Sequence, residues 1–203
     1  MITIRRLCDC TLQDVILAWN EGFEGYFVKM NFSLEQFLKR LVHEELSAEH
    51  SILLYDGDTP VGIVLNGMRE IDGKKLAWNG GTGIAPAYRN KGLGRLAIAE
   101  CIRIYEEEGV ESATLEAIAE NHPAIGLYEK MGYKTIFWSF AYADWDNNKQ
   151  MSHDKAKLKI LENIHNGEIM LLHPTSSTNA SILPEIIQEL KRRGYRFGSL
   201  DEL

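Results

Sequence analysis

Apolar residues in the first two-thirds of the chain recur with two different periods. Stretches rich in β-branched and aromatic residues, bounded by turn residues, predict strands, and stretches with apolar residues three and four apart predict helices. The predicted strands are 2–6, 51–55, 61–68, 75–83 and 112–118, and the predicted helices are 11–20, 33–42, 92–108 and 122–131. Their order, β-α-α-β-β-β-α-β-α, predicts an α/β fold with a mixed sheet, antiparallel in its first half and parallel in its second.

Two short signals define boundaries within this pattern. Ser33, followed three residues later by Gln36, is a capping-box pattern that predicts the start of the second helix. Asp72-Gly73 is typical of a two-residue hairpin turn, so the strands on either side of it should pair antiparallel.

The pattern starts again at about Lys134. It predicts an atypical β-α-β-α-β extension, with strands at 134–143, 167–172 and 195–200 and helices at 153–165 and 181–193. No linker rich in Pro, Gly or Ser separates the two parts. We therefore expect a domain at 1–135 and a segment at 136–203 that packs on the same sheet.

Composition limits the function classes. Apolar residues make up 45% and charged residues 25%, which is ordinary for a globular protein. No apolar run approaches the roughly 18 residues of a membrane span, and the N-terminal residues lack a secretory signal's apolar core. A net charge of -7 disfavours nucleic acid as a partner. We expect a cytoplasmic protein with no membrane or nucleic-acid partner, and reduced, structural cysteines at Cys8, Cys10 and Cys101.

A glycine-rich corner lies between a predicted strand and a predicted helix. Gly92 and Gly94 allow close backbone approach, and the first amides of a helix are unpaired. The helix N-terminus carries about half a positive charge, and Arg89, Lys91 and Arg95 add full charges. The corner therefore predicts a pyrophosphate site. The alternative is a tight turn whose basic residues are simply solvated, although neither GxxxxGK[ST] nor GxGxxG is present as a competing phosphate motif.

Two motifs carry a family resemblance. Arg89-Asn-Lys-Gly-Leu-Gly94 resembles the R/Q-x-x-G-x-G/A signature of the GNAT acetyltransferases, and Asn121-His-Pro-Ala-Ile-Gly-Leu-Tyr-Glu-Lys-Met-Gly-Tyr133 is similar to a second element of that family. The resemblance implies a GNAT-like fold over residues 1–135. It implies that acetyl-coenzyme A is the cosubstrate, bound by Ile84, Arg89, Asn90, Lys91, Gly92, Leu93, Gly94, Arg95 and Asn121, and that no metal takes part.

The resemblance also implies a general acid. Tyr128 would protonate the departing thiolate, which suits a phenol of pKa about 10. The alternative is a tyrosine that packs in the core. For the general base our candidate is Glu116, on the predicted strand 112–118, where it either lines a cleft or faces solvent. His43 and His50 are expected at the surface near helix ends, without a role.

The C-terminal segment resembles a different family. Phe137–Trp145, Gly167–His173 and Leu183–Phe197 are similar to the C-terminal end of polysaccharide deacetylases, and most of all to peptidoglycan de-N-acetylases. That likeness makes His173 the counterpart of a histidine that assists catalysis. The family's metal-binding aspartates and H-x-x-x-H ligands are missing, so we interpret the segment as a structural replacement for the closing strands of a GNAT domain. The chain is then a natural recombinant or an engineered chimera.

Three functions are consistent with these observations. The leading hypothesis is an N-acetyltransferase that moves the acetyl group to a primary amine, on a small molecule or a peptide, by direct transfer in a ternary complex. The second is a non-catalytic coenzyme A-binding module, and the third is a remnant of a polysaccharide deacetylase. For the assembly we consider a homodimer.

Overall fold

A five-stranded mixed sheet forms the centre of the first unit. The computed structural model describes residues 1–146 and 148–202, and their contacts divide them into two compact units at 135/136. The strands lie in chain order and are antiparallel, except for the parallel pair β4 and β5. They are β1 (Ile2–Arg6), β2 (Leu46–Asp56), β3 (Thr59–Ile71), β4 (Lys74–Ile84) and β5 (Ser112–Leu115).

Four helices pack on the two faces of this sheet. They are α1 (Leu12–Gly22), α2 (Leu34–His43), α3 (Leu93–Glu107) and α4 (His122–Lys130). Trp19 of α1 and Phe37 of α2 are fully buried in one core, against β2 and β3. Ala97 and Ile104 of α3 are buried in a second core, on the other face. The predicted order of elements and the mixed sheet are confirmed.

Local signals placed the helix starts correctly. The Thr11 side chain accepts a hydrogen bond from the Asp14 amide at 3.1 Å. Ser33 and Gln36 form the predicted capping box, with bonds of 3.2 and 2.8 Å. Residues 72 and 73 both have positive φ, as a two-residue hairpin turn requires. On α2 only Phe37 is fully buried, so its apolar face is narrower than the sequence suggests.

The end of α1 lies unusually close to β4. A Cβ placed on Gly22 would come 2.9 Å from the backbone carbon of Gly83, and a Cβ on Gly83 would come 3.0 Å from the backbone of Gly22. Backbone atoms cannot move aside as a flexible side chain can. Glycine at both positions therefore lets the helix end reach the strand that leads into the glycine-rich corner.

The second unit has less regular structure than its sequence predicts. Its helices are α5 (His153–Asn163) and α6 (Ser177–Arg192), and its strands β6 (Phe140–Ala141) and β7 (Met170–Leu171) form a parallel pair of two residues each. The strand predicted at 195–200 is wrong, because residues 195–199 have no strand pairing and Leu200–Glu202 is a 3-10 turn. Part of the strand predicted at 134–143 and the start predicted for α6 at 181 are wrong as well. The expectation that this unit packs on the main sheet stays a prediction.

One minor expectation is wrong, and a second is met in part. His50 lies inside β2 rather than at a helix end, and it is half-buried with its Nε2 3.8 Å from Glu108. The three cysteines are free, but only Cys101 is buried, and Cys8 is exposed. A structural role therefore fits Cys101, whose Sγ accepts from the side-chain Nδ2 of Asn66 at 3.3 Å.

Candidate active site

The sheet opens between β4 and β5. In the described part of the chain, the two strands pair only from Leu76–Asn79 to Ser112–Leu115. Because β5 ends there, residues 81–84 of β4 pair with β3 alone and leave their other edge open. An open strand edge presents backbone donors and acceptors that an extended ligand can use. The pantetheine arm of acetyl-coenzyme A, the cosubstrate that the family resemblance implies, has this extended form.

A bulge marks the place where the opening begins. Leu65 of β3 lies opposite Gly81, and Asn66 lies opposite Asn79, so Gly80 has no partner residue in β3. The Gly81 amide donates to Asn79 Oδ1 at 2.9 Å. Bulges re-aim the backbone of the strand that carries them. Here the bulge sets the direction of residues 81–84.

The glycine-rich corner lies just after this open stretch. Asn90 and Gly92 have positive φ of 59° and 84°, and α3 begins at Leu93. The amides of Leu93, Gly94 and Arg95 belong to the first turn, where helical partners are lacking. A Cβ on Gly92 would meet nothing within 4 Å, so the corner is not filled by side chains. A Cβ on Gly94 would come 3.1 Å from Leu127, which shows that this glycine serves the packing of α4.

The three basic side chains of the corner have different contacts. The Arg89 guanidinium donates to the carbonyls of Ile84 at 2.9 Å, Gly22 at 3.1 Å and Glu24 at 2.7 Å. Lys91 lies over the Tyr88 ring, 5.4 Å from its centroid. Arg95 is exposed on the first turn of α3. Arg89 therefore joins the ends of α1 and β4, and a contact between its side chain and an anion stays a prediction.

Tyr128 faces the open stretch of β4. Its side chain lies beside Thr82, and its ring makes an edge contact with Tyr133 at 6.1 Å between centroids. Burial raises the pKa of Tyr128, which keeps the hydroxyl protonated at neutral pH. The structure therefore brings a proton donor to the opening, as a general acid requires.

Glu116 does not lie where the sequence places it. The strand ends at Leu115, so Glu116 lies beyond β5 and is exposed. The pKa of the Glu44 carboxyl, which directly follows the last residue of α2, is raised mainly by burial, and the positive charge of Arg40 opposes this rise. The negative charge of Glu116 adds to the rise, so Glu116 lies close enough to Glu44 to interact with it. Glu116 thus lies near the C-terminal end of α2. The strand placement was wrong, and its role as a base stays a prediction.

Asn121 is the residue that precedes α4. Its backbone carbonyl accepts from the amides of Ala124 at 3.0 Å and Ile125 at 3.1 Å, while its side chain makes no capping bond to the helix. A half-buried side-chain amide is thus left for other contacts. Coenzyme contact by Asn121 stays a prediction.

Sequence reasoning missed two residues at the opening. Thr82 lies beside Tyr128, and Arg40 donates from Nη2 to the Gly80 carbonyl at 2.9 Å. The adjacent glycines Gly80 and Gly81, inside the predicted strand 75–83, were the sequence signal for a bulge. Arg40 gave no such signal, because Arg40 and Glu44 are spaced like an ordinary surface pair on a helix.

The second unit contains a histidine–aspartate pair. His173 Nδ1 lies 2.6 Å from Asp144 Oδ1, and the His173 amide donates to Asp144 Oδ2 at 2.8 Å. Asp144 is buried and also accepts from Asn179.

Within residues 1–146 and 148–202, no three His, Cys, Asp or Glu side chains come together as a metal site. No helix in the same residues is long and apolar enough to cross a membrane.

A family model described as "Acetyltransferase (GNAT) family" matches residues 14–133. The match covers more than half of the chain and includes both motifs described above. The chain belongs to the GNAT acetyltransferase family.

Curated relatives match different shares of the chain. An uncharacterized 30.6 kDa protein from Geobacillus stearothermophilus is 48% identical over 79 residues, which are 39% of this chain and 30% of the relative. The peptidoglycan-N-acetylmuramic acid deacetylase PdaA of Bacillus subtilis is 41% identical over 75 residues, 37% of this chain and 28% of the relative. The chain thus spans less than a third of these two proteins. The uncharacterized N-acetyltransferase YdgE of B. subtilis is 29% identical over 61% of this chain and 90% of its own length.

Solved structures share the fold. An aminoglycoside acetyltransferase from an uncultured soil metagenomic sample superposes with a TM-score of 0.57 at 21% identity, covering 70% of this chain and 95% of its own. The ribosomal-protein-S18-alanine N-acetyltransferase of Escherichia coli gives a TM-score of 0.53 at 22% identity, covering 71% and 86%. At these identities the likeness shows the fold alone, which is the mixed α/β GNAT fold.

Proposed function

We propose that this protein transfers the acetyl group of acetyl-coenzyme A to a primary amine, with both substrates bound at once. One observation carries the proposal: the open stretch of β4 leads from the bulge at Gly80 toward the unfilled corner at Gly92, and Tyr128 lies beside Thr82 of that stretch. A diphosphate at the corner and an extended arm along β4 would bring a thioester to Tyr128.

The chemistry assigns one role to each group. The neutral amine attacks the thioester carbonyl carbon, a C–N bond forms, and the oxyanion is stabilised by a backbone amide near Ile84. The C–S bond then breaks, and the Tyr128 hydroxyl gives its proton to the leaving thiolate. The amine's proton leaves to water or to Glu116, and solvent returns a proton to Tyr128. Amides of residues 90–95, with Lys91 and Arg95, hold the diphosphate.

The acceptor class is an amine on a small molecule or a peptide. Two of the solved neighbours are named for an aminoglycoside and for a protein alanine. The test panel therefore contains a polyamine, an aminoglycoside, free amino acids and a peptide with N-terminal alanine.

Calorimetric titration with coenzyme A, combined with a thiol-release assay over that panel, tests the proposal. We expect coenzyme binding, and thiol release above the acceptor-free background with at least one amine. Initial rates at varied concentrations of both substrates should give intersecting lines, since direct transfer needs a ternary complex. Absence of coenzyme binding would refute the proposal.

A specific observation favours a second candidate. No strand after α4 joins the five-stranded sheet in the described residues, whereas a GNAT domain would normally close with two more. A domain without those strands could bind coenzyme A and lack a complete acceptor cleft. This candidate predicts binding in the titration and no thiol release with any amine.

We infer that the 75 residues shared with the deacetylase PdaA, like the 79 shared with the uncharacterized Geobacillus protein, are the second unit, 136–203, with a few preceding residues. The likeness of its Gly167–His173 segment to that family supports this assignment. A remnant with deacetylase activity would release acetate from N-acetylglucosamine polymers when metal is added.

A cytoplasmic location is supported by the free cysteines, and a homodimer stays a prediction.

A further inference from the structure

Arg40 connects α2 to the bulge of β4. Its Nη2 donates to the Gly80 carbonyl at 2.9 Å and lies 3.0 Å from Glu44 Oε2. The first bond crosses 40 positions of sequence and ends at the backbone of the strand that borders the opening. Arg40 therefore does more than pair with a carboxylate on its own helix.

The Gly80 carbonyl needs this donor. As the extra residue of the bulge, Gly80 has no partner residue in β3, and the pairing of β4 with β5 ends one residue earlier, at Asn79. A half-buried carbonyl without a donor is unfavourable. The Arg40 guanidinium supplies the donor and so fixes the position of the bulge.

Aromatic rings and a carboxylate hold Arg40 in place. Its guanidinium lies over Trp19 at 5.2 Å and Phe32 at 5.9 Å from the ring centroids. Trp78 of β4 donates to the Glu44 carbonyl at 3.1 Å, which ties the end of α2 to the same strand. The Arg40 Nε is buried and has no hydrogen-bond partner among the described residues, and leaving this donor unpaired costs free energy. The guanidinium is therefore kept at this position despite one unpaired donor.

We propose that Arg40 is a positioning residue for acetyl transfer. By holding the Gly80 carbonyl, it keeps the bulge in the form that aims residues 81–84 toward the thioester and holds Thr82 beside the Tyr128 hydroxyl. The inference rests on the proposed function. Coenzyme affinity should depend little on Arg40, because the diphosphate corner lies beyond the end of β4.

Three variants of the full chain test this assignment. Arg40→Met removes the donor and keeps the aliphatic stem, and Arg40→Lys keeps a charge without the planar fork. Arg69→Met is the matched control, since Arg69 lies over Trp78 at 4.8 Å and pairs with Glu45 at 3.1 Å, on the same sheet. For each variant we measure kcat and KM with the best amine, the coenzyme A dissociation constant and the melting temperature.

Arg40→Met should lower kcat by about tenfold and change the coenzyme dissociation constant by less than about threefold. Arg40→Lys should recover part of kcat, and Arg69→Met should behave like the unmodified protein. Should Arg40→Met fail to fold, the same split between kcat and coenzyme affinity in Arg40→Lys decides.

Other outcomes overturn the assignment. An unchanged kcat in Arg40→Met, or an equal loss of kcat and coenzyme affinity, would leave Arg40 with no role or only a structural one. A loss in Arg69→Met as large as that in Arg40→Met would point to a general effect of removing stacked arginines. Failure of the unmodified protein to release thiol with any amine refutes the proposed function instead, and so separates the two claims.

Discussion

The residue that most directly tests coenzyme binding is Gly92. It has a positive φ of 84°, and open space lies where a side chain would point. In Gly92→Asp, a carboxylate would occupy the space proposed for the diphosphate and repel it. We expect coenzyme A binding to be lost in calorimetric titration.

Gly109→Asp is the control for that substitution. Gly109 lies just beyond the other end of α3, also with positive φ and open space around a Cβ. Both variants carry the same strain, about 1–2 kcal/mol, of a side chain in the left-handed region. Equal loss of coenzyme binding in the two would mean that backbone strain, and not the site, is responsible.

Tyr128→Phe removes the proton donor and keeps the ring. We expect kcat to fall by roughly a hundredfold, which is typical for loss of a general acid, while the coenzyme dissociation constant stays within about threefold. Tyr133→Phe, at the neighbouring ring, should change neither. A parallel fall of kcat and coenzyme affinity in Tyr128→Phe would remove its role as the acid.

The pH dependence of kcat gives a second test of Tyr128. Burial raises the pKa of this group above its ordinary value of 10.0, so the donor stays protonated as pH rises through the neutral range. The kcat profile should therefore show no alkaline decline below pH of about 10. A decline centred near pH 8 in rate measurements would assign the acid to another group.

At the scale of elements, the contact between the end of α1 and β4 is tight. Gly22→Ala places a methyl group 2.9 Å from the Gly83 backbone, so the helix must shift. We expect a loss of about 1–3 kcal/mol in the free energy of unfolding. Denaturant titration measures it.

Gly126→Ala is the matched helical control. Gly126 lies within α4, and an added Cβ meets nothing within 4 Å. Alanine there should stabilise by about 0.5–1 kcal/mol, since glycine is the poorer helix former. If both variants gained stability, the close approach of α1 would be less tight than the distances indicate.

Elements with strong periodicity were predictable from the sequence. The nine elements of the first unit follow from apolar spacing, the capping box at Ser33 and the turn at Asp72, and the corner at Gly92 follows from its glycines and charges. The end of β5 was not predictable, because it depends on where β4 stops pairing with it. As a result, Glu116 lies beyond the strand and not on the edge of the sheet. Arg40 was missed because its partner, a backbone carbonyl, leaves no mark in the sequence.

At the scale of the whole molecule, the chain divides into two compact units at 135/136. The second unit has a core of its own, which includes Phe140, Ile160 and Ile186. Scanning calorimetry should therefore show two unfolding transitions. Coenzyme A at a hundred times its dissociation constant should stabilise one of them by about 2.7 kcal/mol and leave the other unchanged. A single transition that shifts as a whole would show that the units unfold together.

The bonds of Arg89 to three backbone carbonyls have a consequence for ionic strength. Its guanidinium is held by three backbone carbonyls, so the mobile cationic side chains at the corner are Lys91 and Arg95, and fixed amide dipoles add to the attraction. Dissolved ions screen mobile surface charges far more than hydrogen bonds made at contact. Added salt should therefore raise the dissociation constant for coenzyme A only slightly.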